Sequence, residues 1–233
     1  MLEFERVSFS YKKNTPVLRD LSFRLEDGGF LTVMGESGCG KSTLLSLAAG
    51  LLTPTDGRVL CTANRIACAF QEARLFPWLT VAQNLSAVLP KADPRTIADA
   101  LWAVELSDCA ALYPAELSGG MKSRVSLARA LCYGGDLYLL DEPFSALDYQ
   151  TRLNVCEDVA GIIRSEGKTA LLITHDISEA ISLADRILVL TARPARVAFS
   201  HEMDFGEVKN PLKRREMPQF SGWFELLWKE LNG

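Results

Sequence analysis

The sequence lacks the features that mark membrane-spanning, secreted and nucleic-acid-binding proteins. Its longest apolar runs, such as residues 47–52 and 187–190, are far shorter than the roughly 20 residues that cross a bilayer as a helix. The first residues, Met1–Glu5, provide neither a basic start nor an apolar signal core, so we expect no secretion. A net charge of −4 argues against a general nucleic-acid binder, which needs a clustered basic surface.

Cysteine occurs without any pattern that would give it a structural role. The six cysteines form no C-x-x-C pair and no metal-ligand spacing, so we interpret them as reduced thiols of a cytosolic protein. Cys39 lies in a glycine-rich loop whose positive potential would lower the pKa of its thiol and make it reactive. The alternative is that the loop merely tolerates a small side chain there.

The apolar residues are numerous and follow two patterns. At 48% of 233 residues they can bury a large core in one domain or in two tightly joined lobes. Alternation over residues 2–9 and 17–25 predicts antiparallel strands with one buried face. The helical composition of residues 74–130 indicates a helical unit inserted into an α/β core. Continuous apolar runs predict buried strands of a parallel sheet at residues 30–34, 137–140, 169–174 and 187–190.

Residues 35–43 match the phosphate-binding pattern G-x-x-x-x-G-K-[ST] between a predicted strand and a predicted helix. Glycines let successive backbone N–H groups turn inward, and the N-terminus of the helix adds roughly half a positive charge. We predict that Lys41 contacts the β- and γ-phosphates of a nucleotide and that Ser42 is a ligand of Mg²⁺. Thr43 is placed to hydrogen-bond the α-phosphate. An ordinary glycine-rich turn is the alternative, and the flanking strand and helix argue against it.

Polar residues end several of the apolar strands. Asp141 and Glu142 follow one run, His175 follows another, and Gln71 stands at the end of a short strand over residues 66–70. Because ligands bind outside the carboxyl ends of parallel strands, we expect Asp141, Glu142 and His175 beside the phosphate loop. Taken singly, they could be a helix cap, a surface charge and a core histidine.

An aromatic residue, Tyr11, follows the first predicted strand. A ring in that position usually completes a local cluster, although aromatic rings also stack on purine bases. The residues around Tyr11 alone favour packing.

Two further motifs carry a resemblance to a known family. Residues 117–121 (LSGGM) precede the apolar run that ends in residues 141–142, and residues 145–148 (SALD) follow it. In this order and spacing, and together with the phosphate loop, residues 11–175 resemble the ATP-binding subunits of ABC transporters. Several independent motifs agree, so the resemblance is specific.

The resemblance points to one branch of the family and implies a fold. Met121 stands where many relatives have Gln, and residues 75–81 (LFPWLTV) also resemble the nitrate, sulfonate and taurine importers. The implied fold class is α/β, a P-loop NTPase core with a mixed, largely parallel sheet, an antiparallel β subdomain and an inserted helical subdomain. Within a single ATP-binding domain over residues 1–233 we expect the α/β core with its antiparallel part at 1–73 and 131–208, the helical subdomain at about 74–130, and a basic, amphipathic segment at about 209–233.

The resemblance also implies a role for each candidate residue. ATP and Mg²⁺ would be bound by the loop residues Gly35, Glu36, Ser37, Gly38, Cys39, Gly40, Lys41, Ser42 and Thr43. Tyr11 would stack on adenine, and Gln71 would sense Mg²⁺ and the attacking water and couple them to a membrane partner. Asp141 would hold the magnesium shell, Glu142 would be the base that polarises water, and His175 would contact the γ-phosphate.

The same resemblance implies a head-to-tail homodimer that binds a membrane protein. Ser118, Gly119 and Gly120 of one subunit would close over ATP held by the other, and Asp148 would lie at the subunit interface. The expected partners are an integral membrane permease and a solute-binding protein, with no nucleic acid. The chain would be a peripheral protein on the cytoplasmic side of the cell membrane and would drive uptake of a small solute.

Four other functions fit the sequence less well. A soluble ABC-type ATPase of DNA repair or translation would be expected to show long heptads or an internal repeat, which this chain lacks. An ABC transporter ATPase for another class of solute stays open. A non-hydrolysing, nucleotide-gated scaffold is disfavoured by Glu142 and His175, and an ordinary P-loop kinase does not need residues 117–121.

The end of the sequence predicts an amphipathic helix. Residues 209–215 are basic, and apolar residues recur at helical spacing over residues 220–231. Such a stripe most often packs on its own domain. The alternative is contact with the membrane subunit or with an interfacial lipid surface.

Overall fold

The computed structural model describes residues 1–13 and 15–232. The strands in this part of the chain are β1 (Leu2–Ser10), β2 (Pro16–Leu25), β3 (Phe30–Met34), β4 (Asp56–Cys61), β5 (Ile66–Ala69), β6 (Leu137–Asp141), β7 (Thr169–Ile173), β8 (Arg186–Leu190) and β9 (Val197–Glu202). The helices are α1 (Lys41–Ala48), α2 (Val81–Ser86), α3 (Pro94–Trp102), α4 (Gly119–Tyr133), α5 (Tyr149–Ser165), α6 (Ile177–Leu183), α7 (Pro211–Arg215) and α8 (Gln219–Asn232), with short 3₁₀ turns at Ser107–Cys109 and Pro114–Glu116.

The strands form two sheets. β1 pairs antiparallel with β2 and with β4, which gives a three-stranded sheet in the order β2-β1-β4. The larger sheet has the order β5-β6-β7-β3-β8-β9, and its neighbouring strands are parallel except for the antiparallel pair β8 and β9. The predicted α/β fold, with a mixed, largely parallel sheet and an antiparallel part, is confirmed.

The parallel strands divide the core because both of their faces are buried. In β6, Leu137 and Leu139 pack on the side of α1 and the antiparallel sheet, whereas Tyr138 and Leu140 pack on the side of α4 and α5. β7 alternates between the same two sides. Burial on both faces explains why these strands are continuous apolar runs in the sequence. It also fixes the register that brings the carboxyl ends of β3, β6 and β7 to one edge of the sheet.

The segment after β5 is helical, and its first helix begins with a complete capping box. The Thr80 hydroxyl accepts a hydrogen bond from the Gln83 backbone N–H at 3.3 Å, and the Gln83 side chain accepts one from the Thr80 N–H at 2.9 Å. This helix, α2, ends at Ser86. The backbone there tightens into bonds from Val88 and Leu89 to carbonyls three residues back, which ends the α-helical pattern.

The C-terminal segment is anchored in its own chain. Arg214 is fully buried and donates to the carbonyl oxygens of Val208 at 2.8 Å and Ala184 at 2.5 Å. Asp185 accepts from Lys209 at 2.9 Å and also lies 3.5 Å from Arg214. Burial of a guanidinium is tolerated when carbonyls and a carboxylate satisfy its donors. The basic stretch over residues 209–215 therefore ties α7 to the base of α6.

The apolar stripe of α8 packs on the same part of the molecule, which is the first of the two outcomes that the sequence left open. Leu227 is fully buried in a cluster with Met34 and Ile181, and most of the other stripe residues line that cluster. Trp228 is the exception, because 56% of its surface is exposed. Its ring stacks on that of Phe224 at a centroid distance of 6.3 Å.

Neither α6 nor β9 has a counterpart among the sequence predictions. α6 is a short helix in which the polar residues Glu179 and Ser182 are buried together with the apolar ones, so its sequence is not cleanly amphipathic. β9 is an edge strand with mostly exposed residues. Within the described ranges, every helix falls short of the length and apolar character needed to cross a membrane.

Candidate functional site

The site is a cavity of about 230 Å³ at the carboxyl edge of the larger sheet, between the phosphate loop, β2 and β6. Ten of the sequence-predicted site residues line it, as do two residues that the sequence analysis did not single out. The lining residues are Tyr11, Val17, Ser37, Gly38, Gly40, Lys41, Ser42, Thr43, Gln71, Asp141, Glu142 and Arg193.

The loop between β3 and α1 has a backbone that requires glycine. Gly40 precedes α1 with a φ of +127°, and a Cβ atom there would lie 2.8 Å from Cδ2 of Leu18 and 3.0 Å from Cγ1 of Val17. A side chain at position 40 would therefore meet both conformational strain and β2. The first turn of α1 leaves its N–H groups without intrahelical acceptors, so they are available to an anion at the cavity floor.

The ammonium group of Lys41 lies across this loop. Its Nζ donates to the carbonyl oxygen of Gly35 at 2.7 Å and to that of Glu36 at 2.8 Å. The side chain is largely buried. These contacts hold a positive charge beside the backbone N–H groups of the loop, which makes the cavity attractive to phosphate.

Asp141 and Ser42 form the polar floor of the cavity. Asp141 is 4% exposed, and this burial raises the pKa of its carboxyl group, with the neighbouring Glu142 adding to the rise. A hydrogen bond from the side chain of Ser42 and the charge of Lys41 act in the opposite direction. A buried carboxylate beside a hydroxyl is a set of oxygen ligands of the type that hard divalent cations prefer.

Glu142 has an unusual backbone that is fixed from two sides. Its φ is +48°, a value that is strained for a residue other than glycine. The Glu142 N–H donates to the carbonyl oxygen of Ile173 in β7 at 2.9 Å, and the Glu142 carbonyl accepts from the hydroxyl of Ser145 at 3.0 Å. These contacts direct the carboxylate to a position where its Oε1 lies 3.2 Å from Nδ1 of His175.

His175 contacts Glu142 but lies at the margin of the cavity. Its side chain is 64% exposed, and it lines an adjoining cavity of about 240 Å³ with Gly35, Glu36 and Trp228 among its neighbours. Gln71, two residues beyond β5, is exposed and lines the main cavity. The expectation that residues at the carboxyl ends of parallel strands lie together, here called the strand-end rule, thus holds for Asp141, Glu142 and His175.

Tyr11 has one packed edge and one free face. Its ring meets that of Phe9 edge-on at a centroid distance of 4.9 Å, and its hydroxyl lies 3.1 Å from Oγ1 of Thr43. The side chain is nevertheless 61% exposed at the mouth of the cavity. Packing and an open ring surface are therefore combined in one residue.

Ser118, Gly119 and Gly120 lie at the start of α4, outside the lining of both cavities just described. Ser118 is the N-cap, and its Oγ accepts from the N–H of Met121 at 3.2 Å. A Cβ atom on Gly120 would lie 2.6 Å from the carbonyl oxygen of Ala146 in the same chain. The close approach that requires glycine at position 120 is therefore already present within one subunit.

The possible reactivity of Cys39 is contradicted by its environment. The residue is 2% exposed, because its side chain turns away from the cavity into the core beneath the loop. Burial raises the pKa of the thiol, although Lys41 acts in the opposite direction. Desolvation of the thiolate outweighs the positive potential of the loop.

Sequence reasoning missed Val17 and Arg193. Arg193 follows the carboxyl end of β8, and its Nε donates to the carbonyl oxygen of Pro16 at 3.2 Å. The strand-end rule that selected Asp141 applies equally to the loop after β8 and would have found it. Val17 enters the cavity only through the packing of β2 against the loop, for which the sequence has no signal.

Comparison with known proteins shows to which family the chain belongs. The sequence profile described as "ABC transporter" matches residues 18–145, more than half of the chain.

The chain belongs to the ABC transporter family.

Two relatives from the ABC transporter family and one solved protein illustrate the match. The "aliphatic sulfonates import ATP-binding protein SsuB" of Bacillus licheniformis is 45% identical over 193 residues, which cover 78% of this chain and 76% of that protein. The "nitrate import ATP-binding protein NrtC" of Synechococcus elongatus is 39% identical over 219 residues, 87% of this chain but only 33% of that longer protein. The dimeric structure of MJ0796, a bacterial ABC transporter cassette, has a TM-score of 0.80 at 27% identity, covering 88% of this chain and 99% of that chain.

A second structure of MJ0796 bears on the activity. It is a dimeric post-hydrolysis state with ADP and Pi bound, and it matches with a TM-score of 0.79 at 27% identity. The ABC transporter motifs recognised in the sequence are thus confirmed at the level of the family and of its fold. The chain is an ATP-binding ABC ATPase.

Proposed function

We propose that this chain is the ATP-hydrolysing subunit of an importer for a small anionic solute of the sulfonate or nitrate type. The observation that carries the proposal is the meeting of the phosphate loop, Asp141 and Glu142 in one cavity, with Glu142 held 3.2 Å from His175. The names of the sulfonate and nitrate relatives support the class of solute.

ATP would bind with its phosphates on the loop over residues 35–43. Lys41 would exchange its two carbonyl contacts for the β- and γ-phosphates, which are stronger acceptors. The N–H groups at the start of α1 and the Thr43 hydroxyl would hold the α- and β-phosphates. The exposed face of Tyr11 supports stacking on adenine, and Arg193 adds a positive charge at the same mouth.

The residues that would hold Mg²⁺ are Ser42, Gln71 and Asp141. Their hydroxyl, amide and carboxylate oxygens suit this cation, and the buried Asp141 carboxylate gains most from a positive charge. When bound, Mg²⁺ neutralises charge on the β- and γ-phosphates.

Hydrolysis would be the in-line attack of water on the γ-phosphate, with most of the catalysis coming from positioning and charge neutralisation. Glu142 would accept the proton of the attacking water, and Gln71 would orient that water. His175 would hold the Glu142 carboxylate through Nδ1 and contact the γ-phosphate as ADP and phosphate separate. Lys41 would balance the charge that moves to the leaving oxygen.

The chain would work as a head-to-tail homodimer. Ser118, Gly119 and Gly120 lie away from their own subunit's cavity, which supports a role over ATP bound by the partner. The N-terminus of α4, capped by Ser118, would add a second set of backbone dipoles to the γ-phosphate. Asp148, the N-cap of α5, would lie at the same interface.

An integral membrane permease, a solute-binding protein and a location on the cytoplasmic face of the membrane complete the proposal. Residues 74–130 would form the helical subdomain that faces the permease, beside the core at residues 1–73 and 131–208 and the C-terminal segment at residues 209–233. An exposed aromatic pair supports this contact, because Trp78 is 70% exposed and lies 5.6 Å from the ring of Phe76.

The test is uptake by vesicles that contain the permease copurifying with this subunit, supplied with a solute-binding protein and an aliphatic sulfonate or nitrate. We expect uptake to require ATP and to be lost with Lys41→Ala. Trp78→Ala should keep the ATPase activity of the isolated subunit while lowering uptake. If the isolated chain hydrolyses ATP but uptake by the vesicles depends neither on ATP nor on Lys41, the transport role is rejected.

A further inference from the structure

Hydrogen bonds among Thr174, Asp176 and Glu179 hold the two residues that flank His175. The Thr174 hydroxyl donates to Oε2 of Glu179 at 2.6 Å, and the Asp176 N–H donates to Oγ1 of Thr174 at 3.1 Å. Oδ1 of Asp176 accepts from the Glu179 N–H at 3.0 Å. Thr174 and Glu179 are 2% exposed, whereas the His175 side chain is largely exposed. The two neighbours of His175 are thus both fixed to one buried glutamate.

Arg152 connects this set to the loop that follows Glu142. Its NH1 donates to Oδ2 of Asp176 at 3.0 Å, and its NH2 donates to the carbonyl oxygen of Leu147 at 2.9 Å. One rigid guanidinium therefore bridges the His175 segment and the loop over residues 143–148. A displacement of either would be transmitted to the other.

One contact in the set is incomplete. Nε of Arg152 and Oε1 of Glu179 are 3.7 Å apart. Both atoms are buried, and neither has a hydrogen-bond partner among the residues that the structure describes. Leaving a buried donor and a buried acceptor unpaired is costly. A shift of about 0.5–1 Å would join them, so the pair favours a slightly different placement of the loop.

We propose that Arg152 and Glu179 are a positioning pair for ATP hydrolysis, which sets His175 against Glu142 according to the position of the loop over residues 143–148. The inference rests on the proposed function, in which that loop meets the partner subunit. Neither residue lines the nucleotide cavity, so the pair acts through His175 and not on ATP.

Burial and charge at Glu179 suit such a role. Desolvation raises the pKa of its carboxyl to about 7, with Asp176 adding to the rise and Thr174, Arg152 and His175 opposing it. Cys156, the other titratable group that faces it from α5, has its pKa raised by burial. The ionised carboxylate is a stronger acceptor than the protonated carboxyl for the donor-only Nε of Arg152, so the pair is sensitive to the charge on Glu179.

The test is a kinetic cycle on the full-length protein with Glu179→Gln, Arg152→Lys and the double variant. Glutamine can keep the bond from Thr174 through its carbonyl oxygen, but it turns a donor toward Arg152. Lysine keeps the charge of Arg152 but cannot hold Asp176 and Leu147 together. We expect each single variant to lower kcat about tenfold with KM for ATP within about twofold, and the double variant to be no slower than the slower single one.

The controls and the contrary outcomes separate this inference from the proposed function. Glu225→Gln and Arg95→Lys make the same chemical changes at exposed positions and should leave kcat unchanged. A wild-type kcat in both single variants would contradict the proposed role of Arg152 and Glu179. So would a double variant in which the two reductions of kcat multiply, because the residues would then act independently. If Glu179→Gln fails to fold, Arg152→Lys decides alone by its kcat. A wild-type protein that does not hydrolyse ATP would instead reject the proposed function.

Discussion

Oε1 of Glu142 lies 3.2 Å from Nδ1 of His175, although the two residues follow different strands. The neighbouring strands β6 and β7 bring them together, since their register pairs Asp141 with Ile173. Each residue stands just beyond the end of its strand, so a short polar contact forms across the sheet edge.

This contact predicts the effect of removing either partner. Glu142→Gln should lower ATP turnover by about 100-fold or more because the base is lost, while ATP binding stays within about twofold. His175→Ala should lower kcat by a similar factor, and the double variant should be little slower than either single one. Phosphate release and binding of a fluorescent ATP analogue measure the two effects. Parent-rate hydrolysis by Glu142→Gln would exclude Glu142 as the base.

Two substitutions at Tyr11 separate its ring from its hydroxyl. Tyr11→Ala removes the exposed face and should weaken ATP binding about tenfold, since a ring stacked on a base contributes about 1–3 kcal/mol. Tyr11→Phe removes only the 3.1 Å contact with Thr43 and should stay within about threefold of the wild type. Equal losses of ATP affinity in both variants, measured by titration calorimetry, would assign the effect to the hydroxyl contact with Thr43 and contradict stacking of the ring.

Glycine substitutions test the phosphate loop against a neutral site. Gly40→Ala forces a side chain into a φ of +127° and into contact with Leu18, so we expect a loss of about 2 kcal/mol of stability and of ATP binding. Gly161→Ala lies on the exposed side of α5 with open space around it and should raise stability by about 0.5–1 kcal/mol. Urea unfolding of both variants decides, and a stable, ATP-binding Gly40→Ala variant would contradict the loop geometry.

The buried Glu179 predicts how stability depends on pH. Its pKa is raised from 4.5 to about 7 in the folded protein. Between these values the unfolded chain has released a proton that the folded protein keeps, so the free energy of unfolding falls as pH rises. Between pH 4.5 and pH 7 the free energy of unfolding of the wild type should fall by roughly 3 kcal/mol more than that of Glu179→Gln. Above pH 7 the two free energies should change in parallel. Urea unfolding across that pH range measures the difference, and Glu225→Gln is the surface control. If the free energy of unfolding of the wild type and of Glu179→Gln depends on pH in the same way between pH 4.5 and pH 7, the prediction is wrong.

The fold was largely predictable because its strands carry strong patterns. β3, β6, β7 and β8 are apolar on both faces, and such runs leave little choice of structure or of place in a parallel sheet. β9 was missed because an exposed edge strand has no apolar face to recognise, and α6 because polar Glu179 and Ser182 are buried among its apolar residues.

The site was predictable where chemistry and strand ends coincide, as for Asp141. The orientation of Cys39 was not, because a loop sequence does not say which side chains turn inward. The network of Arg152 and Glu179 also escaped the sequence, since it depends on a contact between α5 and α6 that no local pattern encodes.

Closure of two subunits around ATP is the central claim, and the mass of the Glu142→Gln protein tests it most directly. Light scattering after size exclusion, with ATP and Mg²⁺ present, should give twice the mass of one chain. The same sample with ADP should give the mass of a single chain. A Glu142→Gln protein that binds ATP yet stays monomeric, even when its permease is added, would contradict the account.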